Sequence, residues 1–80
     1  EYKDFRKAVM TRDGYMCVLT GKKGHLVVHH LTAVSADKTK ILDISNGVTL
    51  HVSVHKLFHR LYGKSHNTPE QFDNFKKSLS

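Results

Sequence analysis

Five side chains carry most of the chemistry this chain can do. His29 and His30 are adjacent at the end of an apolar run, Asn46 follows, and His55 and His59 lie four residues apart. Residues four apart share one face of a helix. Three neutral imidazoles can hold one divalent metal and leave positions open for water and substrate. Such ligands suit Zn, Ni, Cu or Fe better than Mg, although a phosphate substrate adds hard oxygen ligands. An imidazole that stays off the metal titrates near neutral pH and can accept a proton. A pair at i, i+4 arises easily by chance in a chain with 7 His. Two adjacent imidazoles in an apolar strand are rarer, because alternation turns one of them toward the core. The same alternation sets a geometric demand. For His29 and His30 to reach one site, the strand must twist, bulge or end there.

The elements that must position these residues are legible in outline. Leu26 to Leu31 is β-branched and bounded by glycine, so it predicts a strand, and Gly47 to Val52 predicts a second. Between them, residues 32–46 are polar and irregular, and a loop this long in a small domain is functional or mobile. Ser53 is placed to cap a helix reaching Tyr62, with Val54, Leu57, Phe58 and Leu61 as its apolar stripe. Gly63 suits the position just past its end. Thr68, Pro69 and Gln71 form a capping box that opens a last helix, with Phe72, Phe75 and Leu79 on its apolar side. At the other end, Tyr2, Phe5, Ala8, Val9 and Arg12 fall at helical spacing until Asp13-Gly14 stops the pattern. The expectation is an α+β domain: a two-stranded antiparallel ribbon plus helix, flanked by N- and C-terminal helices.

Eighty residues make one small domain whose core supplies only a few kcal/mol, so a staple is expected. A single Cys cannot form an internal disulfide, which leaves metal binding by histidine as the candidate staple and points to a reducing compartment. No apolar run approaches the ~18 residues of a membrane span. No leader pattern opens the chain, and it begins at Glu1, as a fragment or processed product would. A cytoplasmic, intracellular setting is therefore expected. Lys and Arg number 13 against 7 Asp and Glu, a formal charge of +6. A basic surface of this strength suits a polyanion such as nucleic acid.

Val28-His29-His30-Leu31, then Ile44-Ser45-Asn46-Gly47-Val48-Thr49-Leu50, then His55-Lys56-Leu57-Phe58-His59 resembles the HNH endonuclease motif. The resemblance spans about residues 12–62, with a motif core of about 26–62, and implies the ββα-metal (His-Me finger) fold in a single nuclease domain over 1–80. The tail Leu57-Phe58-His59-Arg60-Leu61-Tyr62-Gly63, followed by Asn67-Thr68-Pro69-Glu70-Gln71-Phe72, is similar to HNH nucleases of phages and phage-borne homing endonucleases, which implies a phage or bacterial host. The resemblance assigns His29, His55 and His59 to one divalent metal (Mg, Mn, Ni or Zn). It makes His30 the general base and Asn46 the residue that braces the loop and orients that base. It implies metal-dependent hydrolysis of DNA phosphodiesters that leaves a 5′-phosphate and a 3′-hydroxyl. One such site cuts one strand, so a monomer or weak homodimer nicking duplex DNA is expected.

Many members of that family also carry a structural zinc on two CxxC pairs. Here the corresponding positions are Cys17, Thr20, His51 and Val54, two of which ligate zinc poorly, so no such zinc is expected. Leu19, Val54 and Met16 are expected to fill that space. Lys22 and Lys23, and Lys56, Arg60 and Lys64, are candidate DNA-binding residues, as are Lys3, Arg6, Lys7 and Arg12 near the N-terminus. Phosphate contacts of this kind position a duplex without reading its sequence. Two other readings remain open at this level. The histidines would serve folding alone in a non-catalytic, metal-stabilised DNA-binding module. A toxin-like nuclease acting on RNA would present the same site.

Overall fold

The computed structural model describes residues 1–79. Its elements run α1 (Tyr2–Arg12), β1 (Leu26–His30), β2 (Gly47–His51), α2 (Val52–Tyr62) and α3 (Pro69–Ser78). Two single 3-10 turns, Lys38–Lys40 and Ile44–Asn46, lie between the strands, each opened by an aspartate whose carboxylate accepts a backbone N–H two residues on. The strands form a two-stranded antiparallel ribbon that pairs Leu26 with His51 and His30 with Gly47.

Strand alternation gives the ribbon two differently dressed faces. Val27, His29, Val48 and Leu50 face α2 and α3. There Leu50, Val54, Phe58, Phe72, Phe75 and Cys17 form the main core. Phe58 and Phe75 are fully buried and meet edge to face at 5.4 Å. Burying a side chain of that size stabilises by about 1.5–3 kcal/mol.

Val28, His30, Gly47 and Thr49 turn to the other face, which α1 covers with Phe5, Val9 and Met10. Helix and ribbon approach closely at Gly47. A methyl group placed there would lie 2.9 Å from both Phe5 Cζ and Val9 Cγ2. The C-terminus of α1 is clamped to β2. Arg12 donates to both carboxylate oxygens of Asp13, to the Ile44 carbonyl (3.0 Å) and to the Gly47 carbonyl (2.7 Å). Asp13 in turn accepts the Thr49 backbone N–H at 2.9 Å.

Local details differ from the sequence expectation where neighbours decide them. β1 ends at His30 and β2 at His51, one residue earlier than expected in each case. β2 runs into α2 without a linker, so the helix is capped by His51, whose Nδ1 accepts the Ser53 backbone N–H, and not by Ser53. Leu61 and Leu79 are exposed, because no element covers those sides of α2 and α3. On α1 it is Met10 that is buried, while Tyr2 is exposed. The Thr68–Gln71 capping box forms as expected, with Pro69 in the first turn. No helix among the described residues is long and apolar enough to cross a membrane.

Candidate metal centre and active site

β1 brings His29 against the face of α2 that carries His55 and His59. The His29 ring centroid lies 5.2 Å from that of His55 and 6.0 Å from that of His59. Phe58 (4.6 Å) and Phe72 (5.6 Å) hold the His29 ring from the core side. One nitrogen from each of the three histidines lies within 4.8 Å of the other two. Among the described residues no other group of three or more His, Cys, Asp or Glu side chains is so disposed.

The hydrogen bonds set the proton positions on these rings. A carbonyl oxygen can only accept, so His59 Nδ1 carries a proton and donates it to the Gly63 carbonyl at 2.7 Å. His59 Nε2 is then a lone pair, and His55 Nε2 donates to it at 2.9 Å. His29 Nε2 is buried with no partner at all. An orphaned buried imidazole nitrogen is costly unless something else satisfies it. Burial, followed by the neighbouring imidazoles of His55, His59 and His30, pushes His29 down to about 3. Burial and then His59 push His55 down to about 4. Both rings are therefore neutral at neutral pH, the form in which imidazole ligates metal. Three neutral nitrogens converging on one point, one of them unsatisfied, fit a divalent cation.

His30 is dressed differently. Its ring lies flat on Phe5, with centroids 5.2 Å apart and planes 5° from parallel. Its Nε2 donates to the Ile41 carbonyl at 2.9 Å, which leaves Nδ1 as the free lone pair of the neutral ring. Although alternation sends His29 and His30 to opposite faces, β1 ends at His30. A cavity of about 180 Å³ at the strand's end is lined by both of them together with His55, His59, Lys64 and Asn67. The strand meets the geometric demand by ending.

Asn46 sits behind the cavity and ties together the two segments that hold His30. Its Oδ1 accepts the Thr32 N–H (2.8 Å) and its Nδ2 donates to the Thr32 carbonyl (3.0 Å) and toward the Lys40 carbonyl (3.4 Å). Its own carbonyl accepts the Leu31 N–H at 2.8 Å. The chain just after His30 is thereby fixed to the chain just before Ile41, the residue whose carbonyl orients the imidazole.

A second, basic hollow of about 370 Å³ opens beside the first, lined by Lys56, Arg60 and Lys64 with His55 and His59. Lys64 lines both. Lys22 and Lys23 are exposed in the turn before β1 and line neither hollow. Arg12 is spent on the α1–β2 clamp, and Arg6 donates to the Leu26 carbonyl. The CxxC-like positions are dispersed: Cys17 and Val54 lie in the main core, His51 caps α2, and Thr20 accepts the Lys22 N–H. Met16 lies outside that core, while Leu19 packs against it. The sequence reading missed Asn67 and the Gly63 carbonyl as parts of this site. Nothing in a lone Asn before a helix cap distinguishes it, and a backbone carbonyl has no sequence signature.

A ββα arrangement with a histidine cluster between ribbon and helix defines a class of nucleic-acid-cutting domain, and comparison with known families agrees. A family model described as HNH endonuclease matches residues 17–62, more than half of the chain. The chain belongs to the HNH endonuclease family. With that membership come nuclease, that is hydrolase, chemistry in general and binding of nucleic acid. Comparisons with curated proteins and with solved structures gave no match.

Proposed function

We propose that residues 1–80 form a single HNH nuclease domain that nicks duplex DNA by metal-dependent hydrolysis, with His30 as general base. The observation that supports it is the contrast between neighbours. His29 joins a three-imidazole cluster, while His30 lines the same cavity with Nδ1 free and its other nitrogen anchored on Ile41. A purely structural metal site has no use for a fourth, non-ligating imidazole.

In this reading His29, His55 and His59 hold one divalent cation, with Mg, Mn, Ni and Zn as candidates. When bound, such an ion neutralises phosphate charge and stabilises the leaving oxygen. His30 Nδ1 accepts the proton of a water molecule as its oxygen attacks phosphorus in line. Asn46 keeps the His30 ring aimed by holding the two segments around it. Lys56, Arg60 and Lys64 grip phosphates beside the scissile bond, with Lys22 and Lys23 as more distant contacts. Cleavage leaves a 5′-phosphate and a 3′-hydroxyl. One site per chain implies nicking by a monomer or weak homodimer, inside a phage-infected or bacterial cell.

The test is a supercoiled-plasmid assay with a series of divalent metals, a chelator control and His30→Ala, run beside an RNA substrate. Nicking that needs metal and His30 is the expected result. Undiminished cutting by His30→Ala or after chelation would sink the assignment. Salt-sensitive binding without cleavage under any metal would instead favour the non-catalytic module, and cutting confined to RNA the toxin-like nuclease.

A further inference from the structure

The connection between α2 and α3 forms a wall of the histidine cavity, and it lies beyond the stretch that matches the family. Asn67 is its most buried side chain, at 2% exposure, and it lines the cavity with the histidines. Its amide nitrogen is fully committed. Nδ2 donates toward the carbonyls of Tyr62 (3.4 Å) and Gly63 (3.2 Å) and toward Gln71 Oε1 (3.1 Å). With Nδ2 held on that side, the amide cannot be turned round without facing its oxygen onto three acceptors. Oδ1 is therefore the end left for the cavity, and among the described residues it accepts from no donor. It also keeps contact with open space, since the fully buried, unpartnered side-chain atoms are His29 Nε2 and Thr49 Oγ1. The wall itself is pinned: the Asn67 carbonyl accepts the Ala33 N–H at 3.0 Å, and His66 N–H donates to Ser35 Oγ at 2.8 Å.

An amide oxygen is an acceptor only, so it has no favourable contact with a phosphate. It suits a donor, and in a cavity beside three lone-pair-bearing imidazoles that donor is the hydration of a cation. We infer that Asn67 is a further residue of the cation site, its Oδ1 accepting a hydrogen bond from water that hydrates the ion held by His29, His55 and His59. The inference rests on the reading of those three histidines as cation ligands. Its consequence is selectivity. Mn²⁺ keeps more of its water and prefers oxygen surroundings, whereas Zn²⁺ is satisfied largely by imidazole. Loss of Oδ1 weakens Mn²⁺ more than Zn²⁺.

Titration calorimetry of the chelator-stripped chain with MnCl₂ and with ZnCl₂ tests this in wild type, Asn67→Ala and Asn67→Asp. Asn67→Ala is expected to lose tenfold or more in Mn²⁺ affinity, within the range of about 10–100-fold seen for outer-shell partners, and to lose less for Zn²⁺. Asn67→Asp, which keeps an acceptor oxygen, is expected to bind Mn²⁺ at least as tightly as wild type. Equal losses for both metals, or equal losses in the two variants, would make Asn67 a strut and overturn the inference while leaving the histidine site standing. A wild-type chain that binds neither metal overturns both. Should the variants fold poorly, the wild type still decides. The Asn67 side-chain carbonyl carbon resonance is expected to move on Zn²⁺ addition in step with the ring nitrogens of His55 and His59, and a stationary resonance refutes the contact.

Discussion

The two faces of the ribbon treat neighbouring histidines in opposite ways. On the α2 face, His29 is 3% exposed, packed on Phe58 and Phe72 and left with an unsatisfied nitrogen. On the α1 face, His30 is half-buried, stacked on Phe5 and hydrogen-bonded to Ile41. Burial without a partner suppresses the charged form and prepares a ligand. Stacking and one hydrogen bond fix an orientation while leaving a lone pair for a proton. A single step along a strand thus separates a metal ligand from a base, and the helices on either side complete the distinction.

Exchanging the contributions of the two histidines is the strongest way to break that comparison. His30→Ala is expected to lower the nicking rate by about 10²–10⁴-fold, the usual worth of a positioned acid or base, with metal affinity unchanged by calorimetry. A variant that nicks at the wild-type rate would erase the difference between the faces. His29→Ala should do the reverse in binding. In wild type, a cation at 100 times its dissociation constant stabilises the fold by about 2.7 kcal/mol. For a domain of this size that is a rise of roughly 10–20 °C in melting temperature. His29→Ala should melt at the same temperature with metal and with chelator, and a retained metal-induced shift would remove it from the ligand set.

The α1 face can be perturbed without touching any imidazole. Gly47→Ala places a methyl group 2.9 Å from Phe5 and Val9. Overpacking of this kind costs about 1–3 kcal/mol. Chemical denaturation should show that loss, while Zn²⁺ affinity of the folded chain stays at the wild-type value because the α2 face is undisturbed. Phe5 also carries the His30 ring, so the same variant should slow nicking if stacking orients the base. Unchanged stability would mean that α1 is not held at the distance described.

How much of this was legible in the sequence follows from the range of each interaction. The motif histidines, the ribbon, α2 and the Thr68–Gln71 box depend on spacing and on residues within a few positions, and they form as read. Ser53 was the expected cap, but His51 takes that place, because β2 delivers its imidazole directly to the helix start. Arg12 reads as one more surface cation among Lys3, Arg6 and Lys7. Only folding brings it to Ile44 and Gly47, more than thirty residues on. Asn67 is the same case inside the site: its Nδ2 partners are local, but the cavity its Oδ1 faces is assembled from β1 and α2. Long-range partners leave no periodicity behind, and a polar residue looks alike in sequence whether water or a buried carbonyl satisfies it.

The Arg12–Asp13 clamp gives the smallest expected effect and sharpens the comparison from the acid side. Burial raises the Asp13 carboxyl, but bonds from Arg12 and from Thr49, with the Arg12 charge, outweigh it and hold the carboxyl below its ordinary value of 3.8. A group whose folded value is depressed stabilises the fold above the unfolded value, and that stability is lost as pH falls through the folded one. The clamp should therefore be at full strength at neutral pH and fade from about pH 4 downward. Asp13→Asn keeps the shape and one acceptor oxygen but removes the charge. At pH 7 it should cost about 1 kcal/mol, the difference between a charge-assisted and a neutral hydrogen bond. The gap to wild type should close as both are unfolded in denaturant at progressively lower pH. Because the clamp touches β2 only on its α1 side, Zn²⁺ affinity at pH 7 should not change. A gap that persists at pH 2, or a variant that loses metal, would show that the two faces of the ribbon are not as separable as their packing implies.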